Sequence, residues 1–229
     1  AGANPELRFL VNTHWHFDHT EGNGTFAAAG ATLIAHEMVF RGLGEKRVME
    51  ALGGLEQGPV PPDARPTLSF NDRMNLAWNG DLIHMVHMPG AHSDGDAMVH
   101  FRDADVVHTG DLFFNVHYPF IDVDYGGNLE GMVRALENIQ AHTLPTALYI
   151  PGHGPLATRS ELEAYTDMLR TVAQRVRAMV DEGRTREEVI QARPTAEFDE
   201  AWGADGGFAI PDFWVGLVYD GMVRRDGSP

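Results

Sequence analysis

The sequence predicts a mixed α/β fold, and three observations carry that prediction. Apolar runs of strand length recur and stop at polar or glycine residues, stretches with 3.6-residue apolar spacing lie between them, and several runs end on histidine or aspartate. The 229 residues suffice for one compact domain with a sizeable interior, and we expect a single domain over 1–229 whose part 157–229 is a helical extension packed on the rest. With 43% hydrophobic and 22% charged residues and dispersed Gly and Pro, the composition argues against disorder or a fibrous repeat.

Taken in order, "LRFLVNT" reads as a buried strand that delivers its C-terminal end to a loop, and a histidine cluster sits there. "GATLIAHE" repeats the strand signal. "EMVFRGLGEKRVMEAL" has helical spacing at Met38, Leu43, Val48, Met49 and Leu52, closed by Gly53-Gly54, and "GPVPPDARP" is a loop. From Thr67 to Val107 the chain is strand-like: "TLSF", "MNLAW" and "DLIHMVHMP", then "AMVHF" and "DVVHTGD". "LEGMVRALENIQAH" puts Leu129, Met132, Val133, Leu136 and Ile139 on one helical face, and "TALYIPGHG" is a strand ending on a histidine. A long helix follows, opened by the capping box Ser160…Glu163 and striped by Leu162, Tyr165, Leu169, Val172, Val176 and Val180. Thr185…Glu188 caps a shorter one, and the tail "FAIPDFWVGLVYDGM" is apolar enough to pack on the body.

Charge and composition remove several function classes. With 17 Lys+Arg against 33 Asp+Glu the formal charge is −16, which opposes nucleic acid and anionic membranes as partners and favours a small-molecule substrate. The chain has no cysteine, so histidine and carboxylate must supply any metal ligands. No run reaches the ~18 apolar residues of a membrane span. "AGANPELRFL" lacks the regions of a signal peptide, which leaves the compartment open: periplasmic if a signal was removed, otherwise cytoplasmic.

The chemistry concentrates in "THWHFDHTEGN". His14 and His16 are two apart, so in an extended loop both imidazoles face the same way and can share one metal. Asp18 and His19 follow as the chain turns into a helix, which aims them at a neighbouring point and implies two sites. With 12 histidines in 229 residues, a chance H-x-H-x-D-H has odds on the order of one in a thousand. Three further candidates fall at strand ends beside glycine: His92 in "MPGAHSDGD", Asp111 in "VVHTGDLFF" and His153 in "YIPGHGP".

On these residues the sequence resembles the metallo-β-lactamase fold superfamily, whose signature is H-x-H-x-D-H followed by separate His, Asp and His ligands. The resemblance runs from about Leu7 to Leu156 and implies an αββα sandwich with the site at one edge of its sheets. It implies that His14, His16 and His92 hold one metal, that Asp18, His19 and His153 hold the other, and that Asp111 bridges them. Five imidazoles and two carboxylates suit Zn²⁺, two per chain, while the same N/O set admits Fe or Mn. Two such metals about 3.5–4 Å apart would hold a water between them and lower its pKa towards ~7, making a hydroxide nucleophile. Asp18 is placed to orient that nucleophile or to pass its proton to the leaving group.

Around this set, His117 and Tyr118 are expected to overhang the metals and donate to a developing oxyanion. Asp94 and Asp96 are expected to orient a metal-bound imidazole, and Phe113, Phe114, Tyr118 and Phe120 to wall an apolar pocket. His36, His84, His87, His100, His108 and His142 read as structural.

An Asp bridge resembles the glyoxalase II and lactonase branches, whereas the β-lactamase subclasses carry Cys or Ser there. The acidic stretch "DEGRTREEVIQARPTAEFDEAW" does not resemble the basic glutathione patch of glyoxalase II, and Phe114 stands where acyl-homoserine lactonases have tyrosine. The expected activity is a dizinc hydrolase acting on a small ester, lactone, thioester or β-lactam-type amide. The alternatives are a mononuclear iron oxidoreductase of the persulfide dioxygenase kind and a non-catalytic metal-binding scaffold. Several strands usually precede the first motif in this superfamily, but here only "AGANPELRF" does, so we expect an N-terminally shortened fold, a missing segment or a covering partner. An uncovered apolar sheet edge predicts a homodimer or larger homo-oligomer.

Overall fold

The first apolar run becomes strand β1 (Phe9–Val11), which pairs in parallel with β2 (Thr32–His36) across two short helices, α1 (Phe17–Thr20) and α2 (Asn23–Ala28). The structure is a computed structural model and describes residues 7–203 and 210–227. Helix α3 (Glu37–Gly44) leads into a small antiparallel hairpin of β3 (Arg47–Met49) and β4 (Leu55–Gln57), and β5 (Leu68–Phe70) then joins β2 in parallel. The next strands, β6 (Arg73–Trp78), β7 (Asp81–His87), β8 (Ala97–Phe101) and β9 (Val106–Phe114), form an antiparallel meander. Helix α4 (Leu129–Ala141) crosses over so that β10 (Leu148–His153) lies parallel to β9. The chain continues as α5 (Arg159–Asp181), α6 (Arg186–Gln191), α7 (Asp199–Trp202) and α8 (Pro211–Gly227).

The strands make a three-stranded sheet in the order β1-β2-β5 and a five-stranded sheet in the order β10-β9-β8-β7-β6. Side-chain alternation lets both sheets bury one face against the other. Ile34 and Phe70 of the smaller sheet meet Met85, Ala97 and Val99 of the larger. Helices α2 and α3 cover the smaller sheet and α4 and α5 the larger, with α8 packed on α5, so the layers run α, β, β, α as the resemblance implied. Each apolar residue expected on the face of α4 is buried, as are Leu162, Tyr165, Leu169, Val172 and Val176 of α5. From Pro211 the tail forms α8 and buries Trp214, Val215, Leu217, Val218 and Met222, while its Phe208 and Ala209 lie outside the described residues. Strand β1 is the outer strand of its sheet, and beside it the sandwich opens as a cleft of about 510 Å³ lined by Phe9, Val11, Leu76, Trp78 and Phe101. Among the described residues no helix is long and apolar enough to cross a membrane.

Two expectations are corrected. The helix expected over 37–52 stops at Gly44 and gives way to β3 and a 3₁₀ turn at Glu50–Leu52. Gly42 and Gly44 weaken its last turn, and Arg47, one helical turn beyond Leu43, would put a charge on the apolar stripe. In the strand, the buried guanidinium lies 4.7 Å from the Trp15 ring centre and 4.5 Å from that of Tyr125, and donates to both oxygens of Asp94 at 3.3 Å. The capping box of α5 uses Thr158 and Glu161, not Ser160 and Glu163: Glu161 Oε2 accepts from the Thr158 N–H at 2.6 Å, and Glu163 accepts instead from Arg159 at 2.7 Å. The S/T-x-x-E pattern occurs twice, two residues apart, and the extended backbone at Thr158 decides between them.

Arg47→Ala would leave the half-buried Asp94 without its cation and remove the stacking under Trp15. Urea denaturation should show a loss of about 3–5 kcal/mol, with Asp94→Ala in the same background adding much less than it does alone.

Candidate metal centre

The site begins where β1 ends. Asn12 and Asn23, both buried, exchange amide hydrogen bonds at 2.9 and 3.0 Å, and the Asn12 amide also donates to the His19 carbonyl at 3.1 Å. This clasp fixes α1 against the strand end. Along the extended stretch between them His14 and His16 share one side, while Trp15 turns into the core and is fully buried. His16 has extended backbone and N-caps α1, whose single turn carries Asp18 and His19; Thr20 Oγ1 donates back to the His16 carbonyl at 2.9 Å.

His92 sits in the turn after β7. The Asp96 carboxylate accepts the His92 N–H at 2.6 Å, the Ser93 N–H at 2.8 Å and the Ser93 hydroxyl at 2.6 Å, which fixes the turn. Asp111 and His153 come from the parallel pair β9 and β10, whose register shifts as it nears the site. Gly110 adopts φ +53°, and a Cβ at Gly152 would lie 1.9 Å from Asp111 Oδ1, so the strands approach this closely only with glycine there.

These elements bring all seven predicted residues together in two groups, His14, His16, His92 and Asp111 in one and Asp18, His19 and His153 in the other, with the donor atoms of each group within 4.8 Å of one another. Asp111 touches both. Its Oδ2 lies 3.7 Å from His14 Nε2, 3.6 Å from His92 Nε2 and 3.3 Å from His153 Nε2, and its Oδ1 lies 3.1 Å from His19 Nε2. Asp18 Oδ2 stands 3.1 Å from His19 Nε2 and 3.2 Å from His153 Nε2.

The donor set fits a bound cation. His92 Nδ1 donates to the Phe120 carbonyl at 2.8 Å and His16 Nε2 to Asp122 at 2.9 Å, which leaves His92 Nε2 and His16 Nδ1 as lone-pair atoms. These two acceptors face each other at 2.9 Å, a contact that is repulsive unless a proton or cation lies between them. His14 Nε2 points into the same space, buried and without a hydrogen-bond partner.

The electrostatics separate the groups. Burial pulls the His14 pKa well below its ordinary value and that of His92 down to about 4, which keeps both imidazoles neutral. Burial also opposes protonation of His19, but hydrogen bonds to Asp111 and Asp18 outweigh it and push its pKa up to about 10. The same two carboxylates raise His153 to about 9. Burial would raise Asp111, yet the surrounding imidazoles hold it well below the usual carboxylate range. Without a cation, protons on His19 and His153 balance the carboxylates; a bound dication takes their place.

Above the groups a narrow cavity of about 20 Å³, room for about one water, is walled by Phe17, Met49, Leu52, Phe114 and Phe120. Of the expected aromatic wall, Phe114 and Phe120 are there, whereas Phe113 packs on Tyr165 in the core. Met49 and Leu52 were hidden in the segment misread as helix.

Tyr118 does not overhang the donors. It is fully buried, stacked on Trp214 at 4.3 Å, and its hydroxyl donates to Asp199 at 3.0 Å, because the C-terminal helices cover the segment after β9. His117 does not line the cavity either. Asp94 binds Arg47 and Asp96 binds the backbone of its own turn, so neither reaches an imidazole. That role falls to Asp122, a residue not singled out from sequence. Its carboxylate accepts from His16 Nε2, and its N–H donates to the His92 carbonyl at 2.9 Å. Its only sequence signal is a turn-forming "DVDYGG" after an apolar run.

Asp122→Ala should weaken zinc binding about 10–100-fold in a chelator competition while the thermal unfolding of the metal-free chain changes little in cooperativity.

The model of the metallo-beta-lactamase superfamily matches residues 2–153. A metallo-beta-lactamase from Pontibacter korlensis superposes with a TM-score of 0.56 at 19% identity, over 71% of this chain and 69% of that one. The BLEG-1 B3 metallo-beta-lactamase superposes with a TM-score of 0.57 at 18% identity, over 71% of this chain and 77% of that one. At these identities the likeness speaks to the fold, and the family match covers most of the chain. With an αββα sandwich whose strand ends gather His14, His16, Asp18, His19, His92, Asp111 and His153, this chain belongs to the metallo-beta-lactamase superfamily.

Proposed function

We propose that the chain is a metal-dependent hydrolase that holds two Zn²⁺ and opens a small ester, lactone, thioester or β-lactam-type amide. One observation carries this reading: the two donor groups meet on a single buried carboxylate, Asp111, beneath a cavity with apolar walls. Bound there, Zn²⁺ supplies Lewis acidity towards a carbonyl oxygen and lowers the pKa of water towards ~7. His14, His16 and His92 would hold one ion in a buried setting and Asp18, His19 and His153 a second nearer solvent, with Asp111 in reach of both groups.

The chain's own groups divide the remaining work. Asp122 and the Phe120 carbonyl fix the rings of His16 and His92, so the donor geometry exists before substrate arrives. Asp18 has 28% of its side chain exposed against 4% for Asp111, which makes it the carboxylate able to take up a proton and pass it to a leaving group. Burial would raise its pKa, but hydrogen bonds from His153 and His19 outweigh it and hold the carboxyl well below the usual carboxylate range, so it stays ionised. Phe17, Leu52, Phe114 and Phe120 present an apolar wall beside the donors, against which an apolar part of a substrate can rest. The narrowness of the cavity favours compact substrates. The named β-lactamase neighbours keep the strained amide among the candidates, while Asp in place of the β-lactamase Cys or Ser leaves the ester and lactone classes beside it.

The test is a hydrolysis screen over chromogenic esters, lactones, thioesters and nitrocefin, with metal content measured on the same sample. The reading expects about two Zn per chain and at least one class turned over at about 10⁴ M⁻¹s⁻¹ or faster. One Fe per chain with oxygen consumption, or two bound Zn with every class untouched, would overturn it.

A further inference from the structure

On the outer face of the five-stranded sheet, away from the metal centre, lies a cavity of about 310 Å³, the size of a small-metabolite site. Its polar lining is Arg73, His84, His100, Arg102, Asn138 and His142; no carboxylate is among its lining residues. Within a chain of net charge −16 this concentration of cationic and imidazole groups is a local inversion. We propose that the cavity binds a small, multiply charged oxyanion of the phosphate or phosphomonoester class.

The fold assembles these groups from separate elements. His84 of β7 stands directly opposite His100 of β8, and Arg73 of β6 opposite Val86, so the alternation of the strands turns them to one face. The last turn of α4 supplies Asn138, and His142 follows it. Several donors are uncommitted. Arg102 makes no ion pair or hydrogen bond among the described residues, whereas other guanidiniums of the chain are matched, as Arg170 is with Glu137 and Arg186 with Asp220. Arg73 gives only its Nε to Asp72, at 3.0 Å, and keeps its terminal amino groups. His142 Nδ1 donates to the Asn138 carbonyl at 2.8 Å, which leaves Nε2. His100 Nε2 is held by Asp105 at 3.0 Å, so this ring is anchored and His84 faces the cavity from the opposite strand.

The positive potential registers on His84: burial first, then Arg102, Arg73 and His100, draw its pKa down. Repulsion from the two guanidiniums disfavours a metal cation here despite the three imidazoles. The edge position of β6 explains a charge at Arg73, since edge strands carry basic residues that deter pairing. It does not explain why Arg102, His84 and His142 converge on the same cavity from other elements. The acidic remainder of the surface is screened beyond about 8 Å at physiological ionic strength, so the local cluster governs a ligand once it is within the cavity.

Inorganic phosphate titrated into the zinc-loaded full chain tests this through the imidazole resonances of His84, His100 and His142. Saturable shifts at these rings are expected, with the affinity weakened about tenfold or more in both Arg102→Ala and Arg73→Ala, and with zinc content and hydrolysis unchanged. Shifts confined to the metal-centre histidines would overturn the proposal, as would an affinity indifferent to both variants or equal displacement by chloride at matched ionic strength.

Discussion

Burial of the Asp111 carboxylate is the constraint on which this structure turns. An ion taken out of water costs several kcal/mol unless charges and donors surround it, and here the surroundings are four imidazoles drawn from three parts of the chain. Each must arrive at a defined place, so the loop after β1, the turn after β7 and the parallel pair β9 and β10 all converge on one end of the sandwich. Glycine at 110 and 152 is the local consequence, because a Cβ at 110 would run into the Thr13 side chain and one at 152 into the Asp111 carboxylate.

A second tier of interactions holds these arrivals in position. The Asn12 and Asn23 clasp, the Asp96 turn, Asp122 behind His16, and Arg47 between Trp15, Tyr125 and Asp94 are polar contacts at the edge of the core that tie these segments to one another. Such networks specify one arrangement because a half-made version leaves uncompensated polar groups inside the protein. The apolar core between the sheets sets the framework, and the polar network sets the site to the fraction of an ångström that metal ligation needs.

Much of this is legible in the sequence because it obeys periodic rules. The stripe of α4 and that of α5 as far as Val176 are buried as their spacing predicts, and His153 ends its strand, whereas Asp111 lies within β9 and His92 in the turn beyond β7. The H-x-H-x-D-H stretch is legible because its spacing has a geometric meaning in an extended loop followed by a helical turn. What is not legible are contacts between residues distant in sequence. Asp122 lies 106 residues from the imidazole it binds, and no local pattern marks it. Arg47 broke the helix expected around it for the same reason, since its partners Trp15, Tyr125 and Asp94 come from three other segments. Tyr118 shows the reverse error: nearness to Asp111 in sequence was taken for nearness in space, but the segment after β9 is drawn under the C-terminal helices by Trp214 and Asp199.

If Asp111 is the carboxylate that both donor groups share, then removing it must uncouple and empty both. Zinc titrated into the metal-free chain and into Asp111→Ala, with bound metal counted after gel filtration, measures this directly. About two equivalents for the parent chain and loss of both in the variant are the predicted result. A variant that still binds two equivalents with the parent's affinity would contradict the account.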